Sequence, residues 1–227
     1  MSSFVLKLIG IISMLCDHIG FAFYNRSFLR VIGRVAFPIF AFQAVIGYEH
    51  TKDVKKHLIK MIIFAFISQI PFSLLYIALK QPFTLNVMFT IILGLFSIIL
   101  FNKINNRIIC FIVLLLIGCL GSIIRVDYGI FGIVTIFLFY YFKNNKIKMF
   151  FYFSITFLIR YLLHIIFIDS IYYSLILLGT LTAFIPISLY NKKEGIKTKY
   201  LFYLFYPLHL LIIYLIYLFF YPFFALI

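Results

Sequence analysis

Apolar runs long enough to cross a lipid bilayer recur along the whole chain. The hydrocarbon core of a bilayer is ~30 Å thick, so a spanning helix needs roughly 20 predominantly apolar residues. Of the 227 residues, 65% are hydrophobic and only 11% are charged, which leaves too little polar surface for a water-soluble domain of this size. The sequence therefore predicts an all-α, polytopic transmembrane helical bundle that forms one domain over residues 1–227.

Nine candidate spans follow from these runs. They cover residues 4–24, 31–48, 58–79, 85–101, 108–124, 130–142, 149–168, 171–190 and 200–221. The sixth is the shortest, and we expect it to be tilted, re-entrant or continuous with its neighbours. The first is interrupted by Asp17 and His18 and is followed by no small-residue cleavage site, so it does not read as a signal peptide.

The charged residues predict how the bundle is oriented. The formal net charge is +14, from 20 Lys and Arg against 6 Asp and Glu. In a soluble protein this balance would indicate nucleic-acid binding, but most of these cations lie in short loops between apolar runs, so nucleic acid is not an expected partner.

Lys and Arg concentrate in cytoplasmic loops. The connections that follow even-numbered spans carry Lys52, Lys55, Lys56, Lys60, Lys103, Arg107, Lys143, Lys146, Lys148, Lys192, Lys193, Lys197 and Lys199. The other connections carry only Arg26, Arg30, Lys80 and Arg125. This asymmetry predicts a cytoplasmic N-terminus and an outer C-terminus.

The three cysteines indicate neither a disulfide framework nor a metal site. Cys16, Cys110 and Cys119 are isolated inside apolar runs. An odd number without paired spacing is untypical of disulfides and of zinc ligands. We interpret them as small buried hydrophobic residues and predict no metal.

Polar residues inside the spans carry the functional signal. A charge near the bilayer centre costs at least ~2.5–3.5 kcal/mol, so such groups face a protein interior and find partners. They are Asp17, His18, Arg34, Arg160, His164 and His209, joined by the amide of Asn86. In the predicted topology His209 is nearer mid-depth and the others lie in the outer half of the membrane. This common level predicts a polar cavity open toward the outside.

The first span suggests specific chemistry. Asp17 and His18 are adjacent, so they point about 100° apart on a helix, and we pair Asp17 with Arg34 instead. Imidazole titrates near neutrality, which suits His18 to act as a general base. Lys7 precedes His18 by eleven residues, about three turns, so both lie on one face roughly 16 Å apart. That separation suits a ligand with phosphates at the cytoplasmic end and a reactive group deep inside, such as acetyl-CoA.

The same residues also have purely structural interpretations. Asp17 and Arg34 can form a buried ion pair that only fixes helix packing. Arg160 and His164, one turn apart, can be a structural pair or snorkelling groups. Pro38, like the other prolines within spans, can simply kink its helix. The many tyrosines and phenylalanines are expected mostly to face lipid or to form interfacial belts.

Several motifs resemble those of the TraX family, in order and spacing, over nearly the whole chain. They are Leu6-Lys7-Leu8-Ile9, Met14-Leu15-Cys16-Asp17-His18-Ile19-Gly20, Ile32-Gly33-Arg34-Val35-Ala36-Phe37-Pro38-Ile39-Phe40-Ala41-Phe42, Ser68-Gln69-Ile70-Pro71-Phe72, Leu85-Asn86-Val87, Asp127-Tyr128-Gly129, Tyr190-Asn191 and Tyr206-Pro207-Leu208-His209-Leu210. The namesake of this family acetylates the N-terminus of conjugative pilin. The resemblance therefore implies N-acetyl transfer from cytoplasmic acetyl-CoA and a place in the bacterial cytoplasmic membrane. The Lys7-to-His18 spacing is also similar to that of a basic residue, usually Arg, and a histidine in the first helix of larger membrane acyltransferases.

These observations give the hypothesis of a membrane-embedded acetyltransferase. His18 is the expected general base, Asp17 neutralises Arg34, His209 positions or activates the thioester, and Arg34 and Asn86 polarise the carbonyl or hold the oxyanion. Lys7, Lys55 and Lys56 are expected near the phosphates of acetyl-CoA. The acceptor is an amine or hydroxyl of a peptide, lipid or sugar at the outer side of the membrane. A proton-coupled transporter or exporter and a non-enzymatic membrane scaffold are the open alternatives.

Overall fold

The protein is an all-helical bundle in the computed structural model, which describes residues 1–23, 28–196 and 199–224, without the side chains of residues 199–202 and 221–224. Two of the loop cations lie outside the described residues, namely Arg26 and Lys197, and so does the side chain of Lys199. Residue 24, the predicted end of the first span, lies outside them as well. The helices are α1 (Ser3–Phe23), α2 (Phe28–Gly33), α3 (Ala36–His50), α4 (Val54–Ala78), α5 (Val87–Lys103), α6 (Arg107–Ile123), α7 (Gly129–Tyr141), α8 (Lys146–Phe167), α9 (Ser170–Thr182), α10 (Phe184–Ser188) and α11 (Lys199–Phe224). The prediction of an all-α fold is confirmed.

Each predicted span coincides with one helix or with a broken pair of helices, α2–α3 and α9–α10. Within the described residues, six of these segments are long and apolar enough to cross a membrane. The other three apolar helices, α5, α6 and α7, are shorter. The structure thus has the character of a multi-pass membrane protein, whereas the count of nine crossings and the orientation stay predictions.

Polar side chains mark where the helices begin. Asp53, Asn86, Asn106, Asn145 and Asp169 precede α4, α5, α6, α8 and α9, and each side chain accepts a hydrogen bond from a backbone N–H of the first turn. The first N–H groups of a helix have no partner inside the helix, so Asp and Asn stabilise its start. These caps explain why the apolar runs are divided where they are.

The break between α2 and α3 follows from Pro38. Proline has no N–H with which to bond the carbonyl four residues earlier, and its ring crowds that carbonyl. For Pro38 the carbonyl in question belongs to Arg34, which lies between the end of α2 and the start of α3. Arg34 is therefore held at a helix break rather than within a continuous helix.

Helix α7 forms the centre of the bundle. It packs against α3, α5, α6 and α8, and the side chains of Ile133, Ile136 and Phe139 are fully buried. Its thirteen residues correspond to about 20 Å at 1.5 Å per residue, which confirms that the sixth segment is short. A second layer, formed by α1, α4 and α11, packs against α2, α3 and α5.

Contacts between connections define one end of the bundle. Glu49, at the end of α3, accepts a hydrogen bond from the Lys143 amine after α7. Asn102, at the end of α5, accepts from the Tyr140 hydroxyl at 2.9 Å and donates to the Tyr48 hydroxyl at 3.2 Å. The connections that follow α3, α5 and α7 therefore meet at the same end.

The end of α10 lies at this end as well, because the Lys146 amine, at the start of α8, donates to the Ser188 carbonyl at 2.6 Å. The start of α1 joins it there, because the Ser3 N–H donates to the Lys193 carbonyl after α10 at 2.8 Å. At the opposite end, Leu85 and Val126 form an isolated bridge between the connections that precede α5 and α7. The helical segments thus run alternately between two ends. The loops expected in the cytoplasm share one end with the start of α1.

Helix packing can be tested at Gly94, where α5 contacts α7. A Cβ at this position would lie 2.6 Å from Cδ1 and 2.8 Å from Cβ of Ile136, so Gly94→Ala forces the two helices apart. We expect a loss of about 1–3 kcal/mol in unfolding free energy, seen as a lower melting temperature in detergent. Gly47→Ala is the matched control, since its Cβ would approach no atom closer than 3.9 Å. Equal melting temperatures for the two variants would contradict this packing.

Candidate functional site

The site begins with an ion cluster between α1 and the α2–α3 break. The Asp17 carboxylate accepts a hydrogen bond from the Arg34 guanidinium and lies 3.1 Å from Nη1 of Arg30. Gly33 makes this approach possible, because any side chain there would collide with Asp17. The predicted Asp17–Arg34 pair is therefore present, and Arg30, interpreted as a loop cation, is its third member.

Two histidines from opposite ends of the sequence meet beside this cluster. The Nε2 atom of His209, on α11, lies 3.0 Å from Nδ1 of His18, on α1, and the ring centroids are 5.0 Å apart. His209 is buried, and its ring stacks on Phe205 at 4.7 Å. The structure thus brings together two residues that were predicted to act in one site.

Backbone carbonyls fix the proton positions of this pair. A carbonyl oxygen only accepts, so an imidazole nitrogen bonded to it carries the proton. Nδ1 of His209 lies 2.8 Å from the Phe205 carbonyl, so Nε2 of neutral His209 is an acceptor. His18 must then donate through Nδ1, which also lies 3.0 Å from the Met14 carbonyl. Nε2 of His18 is left unprotonated, as a general base requires.

His18 and Asp17 line a small chamber of about 40 Å³. Its other walls come from α2, α3, the start of α5, the connection before α7, and α11. Tyr128 and Tyr206 supply two of these walls. Both belong to motifs of the family resemblance, but no signal in the apolar pattern separates them from the lipid-facing aromatics.

An apolar cleft of about 140 Å³ adjoins the chamber. Met14, Phe40, Val87 and Tyr206 line both spaces. From there the cleft extends past Ile11, one turn nearer the start of α1. It therefore approaches His18 from the end of the bundle that carries the predicted cytoplasmic loops.

A larger polar cavity, of about 500 Å³, lies on the other side of the ion cluster. Arg30, Arg34, Phe131, Arg160, Tyr161, His164, Tyr172, Tyr173 and Ile176 line it. Arg160 and His164 share one face of α8, as their spacing predicted. Their inclusion agrees with the expected polar cavity, whereas its three tyrosines are exceptions to the general expectation that tyrosines mostly face lipid or form interfacial belts.

Tyr128 joins the chamber to this arginine-lined cavity. Its backbone φ of 63° lies in the left-handed region, where non-glycine residues are uncommon, at the start of α7. The carbonyl of Tyr128 accepts a hydrogen bond from Arg160 at 2.8 Å, and its ring centroid lies 5.0 Å from the Arg160 guanidinium carbon. Asp127, which precedes it, also lines the chamber, and desolvation raises the pKa of its carboxyl above the ordinary value.

Asn86 is not among the side chains that line the chamber. It is fully buried, and its amide donates to the Ala65 carbonyl at 2.8 Å and to Gln69 at 2.9 Å. Its side-chain oxygen accepts from the Met88 N–H at 3.0 Å. The Asn86 amide therefore joins the start of α5 to α4. This placement does not support a direct bond from Asn86 to an acyl carbonyl.

The three predicted phosphate-binding lysines lie at the end of the bundle where α1 starts. Lys7 is half-buried in α1 and interacts electrostatically with Glu194. Lys55 and Lys56 are exposed in the first turn of α4, and the Lys56 amine lies 3.5 Å from Asp53. None of the three belongs to the chamber, in keeping with the separation from His18 that the sequence predicted.

Comparison with known proteins gives the family. The model of the TraX protein family matches residues 2–217. An uncharacterized protein of Rickettsia prowazekii (strain Madrid E) is 31% identical over 150 residues, which are 64% of this chain and 57% of that protein. The probable fimbrial assembly protein FimC, serogroup H1, of Dichelobacter nodosus is 29% identical over 160 residues, 64% of each chain. The matches thus span less than two thirds of either relative. No solved structure matches the chain. Because the family match covers nearly the whole sequence, this chain belongs to the TraX family.

Proposed function

We propose that this protein is a membrane-embedded acetyltransferase, which moves an acetyl group from cytoplasmic acetyl-CoA to an amine or hydroxyl at the outer side of the membrane. The observation that carries the proposal is the pair of histidines, because it leaves an unprotonated nitrogen on His18 beside the chamber. Family membership supports it, since the family's namesake acetylates pilin. The relative named as a probable fimbrial assembly protein favours a pilus-related role and a peptide amine as the acceptor.

The chemistry requires one base and one path for a proton. The acceptor N–H or O–H faces Nε2 of His18, which takes the proton as the acceptor attacks the thioester carbonyl carbon. A new C–N or C–O bond forms, the C–S bond breaks, and the imidazolium returns the proton to the departing CoA thiolate. The products are the acetylated acceptor and CoA with a free thiol.

Of the charged neighbours of His18, Asp17 favours a transient positive charge on the imidazole, whereas Arg30 and Arg34 oppose it. The Asp17 carboxylate, on the preceding residue, attracts the imidazolium electrostatically. His209 acts through His18 rather than on the thioester, because its Nε2 is occupied in accepting the His18 proton. Tyr206, which lines both the chamber and the cleft, is our candidate donor to the carbonyl oxygen, and Arg34 adds positive charge next to Asp17.

The apolar cleft is the proposed donor site. Its wall of Ile11, Met14 and Phe40 suits the acetyl thioester and the adjoining part of the pantetheine arm. Lys7 then lies about three turns, or roughly 16 Å, from His18 along α1. Lys7, Lys55 and Lys56 are the proposed contacts for the phosphates of CoA.

Replacement of His18 tests the general base. We expect His18→Ala to lower acetyl transfer by about 10²–10⁴-fold, since no other histidine is among the described residues that line the chamber. The assay incubates nanodisc-reconstituted protein with radiolabelled acetyl-CoA and a detergent extract of the native membranes, followed by identification of the labelled product. His50→Ala is the control, because Nδ1 of His50 also bonds the carbonyl four residues earlier, at 2.8 Å, but at an exposed helix end. Undiminished transfer by His18→Ala would remove His18 from the mechanism.

The second histidine can be tested as a positioning residue. In His209→Gln the amide oxygen can accept the His18 Nδ1 proton in place of Nε2, whereas His209→Leu offers no acceptor. We expect the Gln variant to retain at least tenfold more activity than the Leu variant, with the difference in kcat and little change in KM for acetyl-CoA. Equal activity of the two variants would contradict the proposed proton arrangement.

Blocking the cleft tests the donor site. Ile11 is 8% exposed and lines the cleft, whereas its neighbour Ile12 is 54% exposed on the outer face of α1. Ile11→Trp should weaken acetyl-CoA binding at least tenfold by filling the cleft, and Ile12→Trp should bind like the original protein. Isothermal titration calorimetry in detergent measures both. Absence of saturable CoA binding by the unmodified protein would instead favour a transporter of unrelated solutes or a scaffold.

A further inference from the structure

The arginine-lined cavity has a charge distribution that the proposed acetyl transfer does not use. Among the residues that the structure describes, its walls carry three guanidinium groups and the His164 imidazole but no carboxylate. Asp17 faces two of the arginines, Arg30 and Arg34, so a single negative charge is shared between two positive ones. The third, Arg160, donates to a neutral backbone carbonyl, and Asp127, on the chamber side, interacts electrostatically with Arg34 and Arg160. Three guanidinium groups thus face two carboxylates. The cavity therefore holds uncompensated positive charge.

The hydrogen-bonding groups around this cavity are also incompletely used. In the described part of the chain, five buried side-chain nitrogen or oxygen atoms have no hydrogen-bond partner. Four of them belong to the cavity walls: Nε of Arg30, Arg34 and Arg160, and Nδ1 of His164. Buried polar groups are normally satisfied, so this concentration at one place indicates a site that a ligand with several acceptor atoms completes.

We infer that the arginine-lined cavity binds an oxyanion, a phosphate or a carboxylate, carried by the molecule that receives the acyl group. Arginine is suited to such groups because its planar donors bond two oxygens at once. The cavity, at about 500 Å³, is much larger than a bare phosphate. Phe131, Tyr161 and Tyr173 supply aromatic surface for the body to which the anion is attached.

The position of the cavity connects this anion to the reaction. Arg34 lines the cavity and bonds Asp17, which precedes His18. Tyr128 lines the chamber, and its ring lies against Arg160. An acceptor anchored by its anion at Arg160 can therefore direct its amine or hydroxyl past Tyr128 toward His18. The identification of the ligand as the acceptor rests on the proposed acetyl transfer, whereas anion binding itself does not.

The test uses a reporter inside the cavity. The chain has no tryptophan, so Phe131→Trp introduces a single fluorophore 5.6 Å from the Arg160 guanidinium, measured at the phenylalanine ring. In phosphatidylcholine nanodiscs at constant ionic strength, we titrate this protein with phenyl phosphate, benzoate and benzyl alcohol. We expect saturable binding of at least one of the two anions, at least tenfold tighter than binding of the alcohol. The stronger of the two identifies the oxyanion as phosphate or carboxylate.

A second substitution in the reporter protein gives the controls. Arg160→Gln should weaken binding of the preferred anion at least tenfold, and Arg160→Lys should weaken it less, because the charge is kept. Arg107→Gln removes the same charge from the opposite end of the bundle, where Arg107 packs on Phe101, and should leave binding within twofold. The inference is overturned if Arg160→Gln leaves the affinity for the preferred anion unchanged, or if the neutral alcohol binds as tightly as both anions. If Arg160→Gln does not fold, Arg160→Lys is compared with Arg107→Gln. Equal anion affinity of these two variants would also contradict the inference.

Acetyl-CoA binding, measured on the same variants, separates the two proposals. If the reporter protein that retains Arg160 binds neither anion but does bind acetyl-CoA, only the oxyanion site is refuted. Arg160-dependent anion binding without any acetyl-CoA binding would support the site and refute the acetyltransferase.

Discussion

The burial of Asp17 against two arginines is the interaction on which the rest of the site depends. Charged groups inside a bilayer are costly, and they persist only when paired or facing water. Here one carboxylate on α1 holds Arg34 at the break before α3 and Arg30 on α2. Removing one member of a buried pair leaves an uncompensated charge, typically at a cost of about 3–5 kcal/mol. The cluster therefore fixes α1 against α2 and, with them, the residue that follows Asp17, His18.

Much of this arrangement is readable from the sequence because ionisable residues are rare inside apolar runs. The Asp17–Arg34 pair could be predicted, since each charge needs a partner and few are available. The common face of Arg160 and His164 follows from helical spacing, and the division of the chain into nine apolar segments follows from their length. Pro38 also signals that the second segment is not a regular helix, although the pattern does not fix where it breaks.

The contacts that set the protonation of the two histidines cannot be read from the sequence. His18 and His209 are 191 residues apart in the chain, and no local pattern brings α1 and α11 together. The tautomers depend on two backbone carbonyls, which every residue possesses. The apolar pattern also does not separate buried from lipid-facing tyrosines, since a helix in lipid has apolar residues both outside and inside. Tyr161 and Tyr206 consequently look like lipid-facing residues in the sequence, yet both are buried. Asn86 stands out in the sequence as a polar residue, but its amide is engaged in joining the start of α5 to α4.

The small volume of the chamber has a consequence for the integrity of a membrane that contains this protein. Each water needs roughly 10–15 Å³ of cavity volume, so the chamber, at about 40 Å³, accommodates only a few molecules. The apolar cleft and the arginine-lined cavity share no described lining residue, and the chamber lies between them as a constriction. Such a plug allows groups to meet from opposite sides while it resists the leakage of protons and ions that would dissipate the membrane potential.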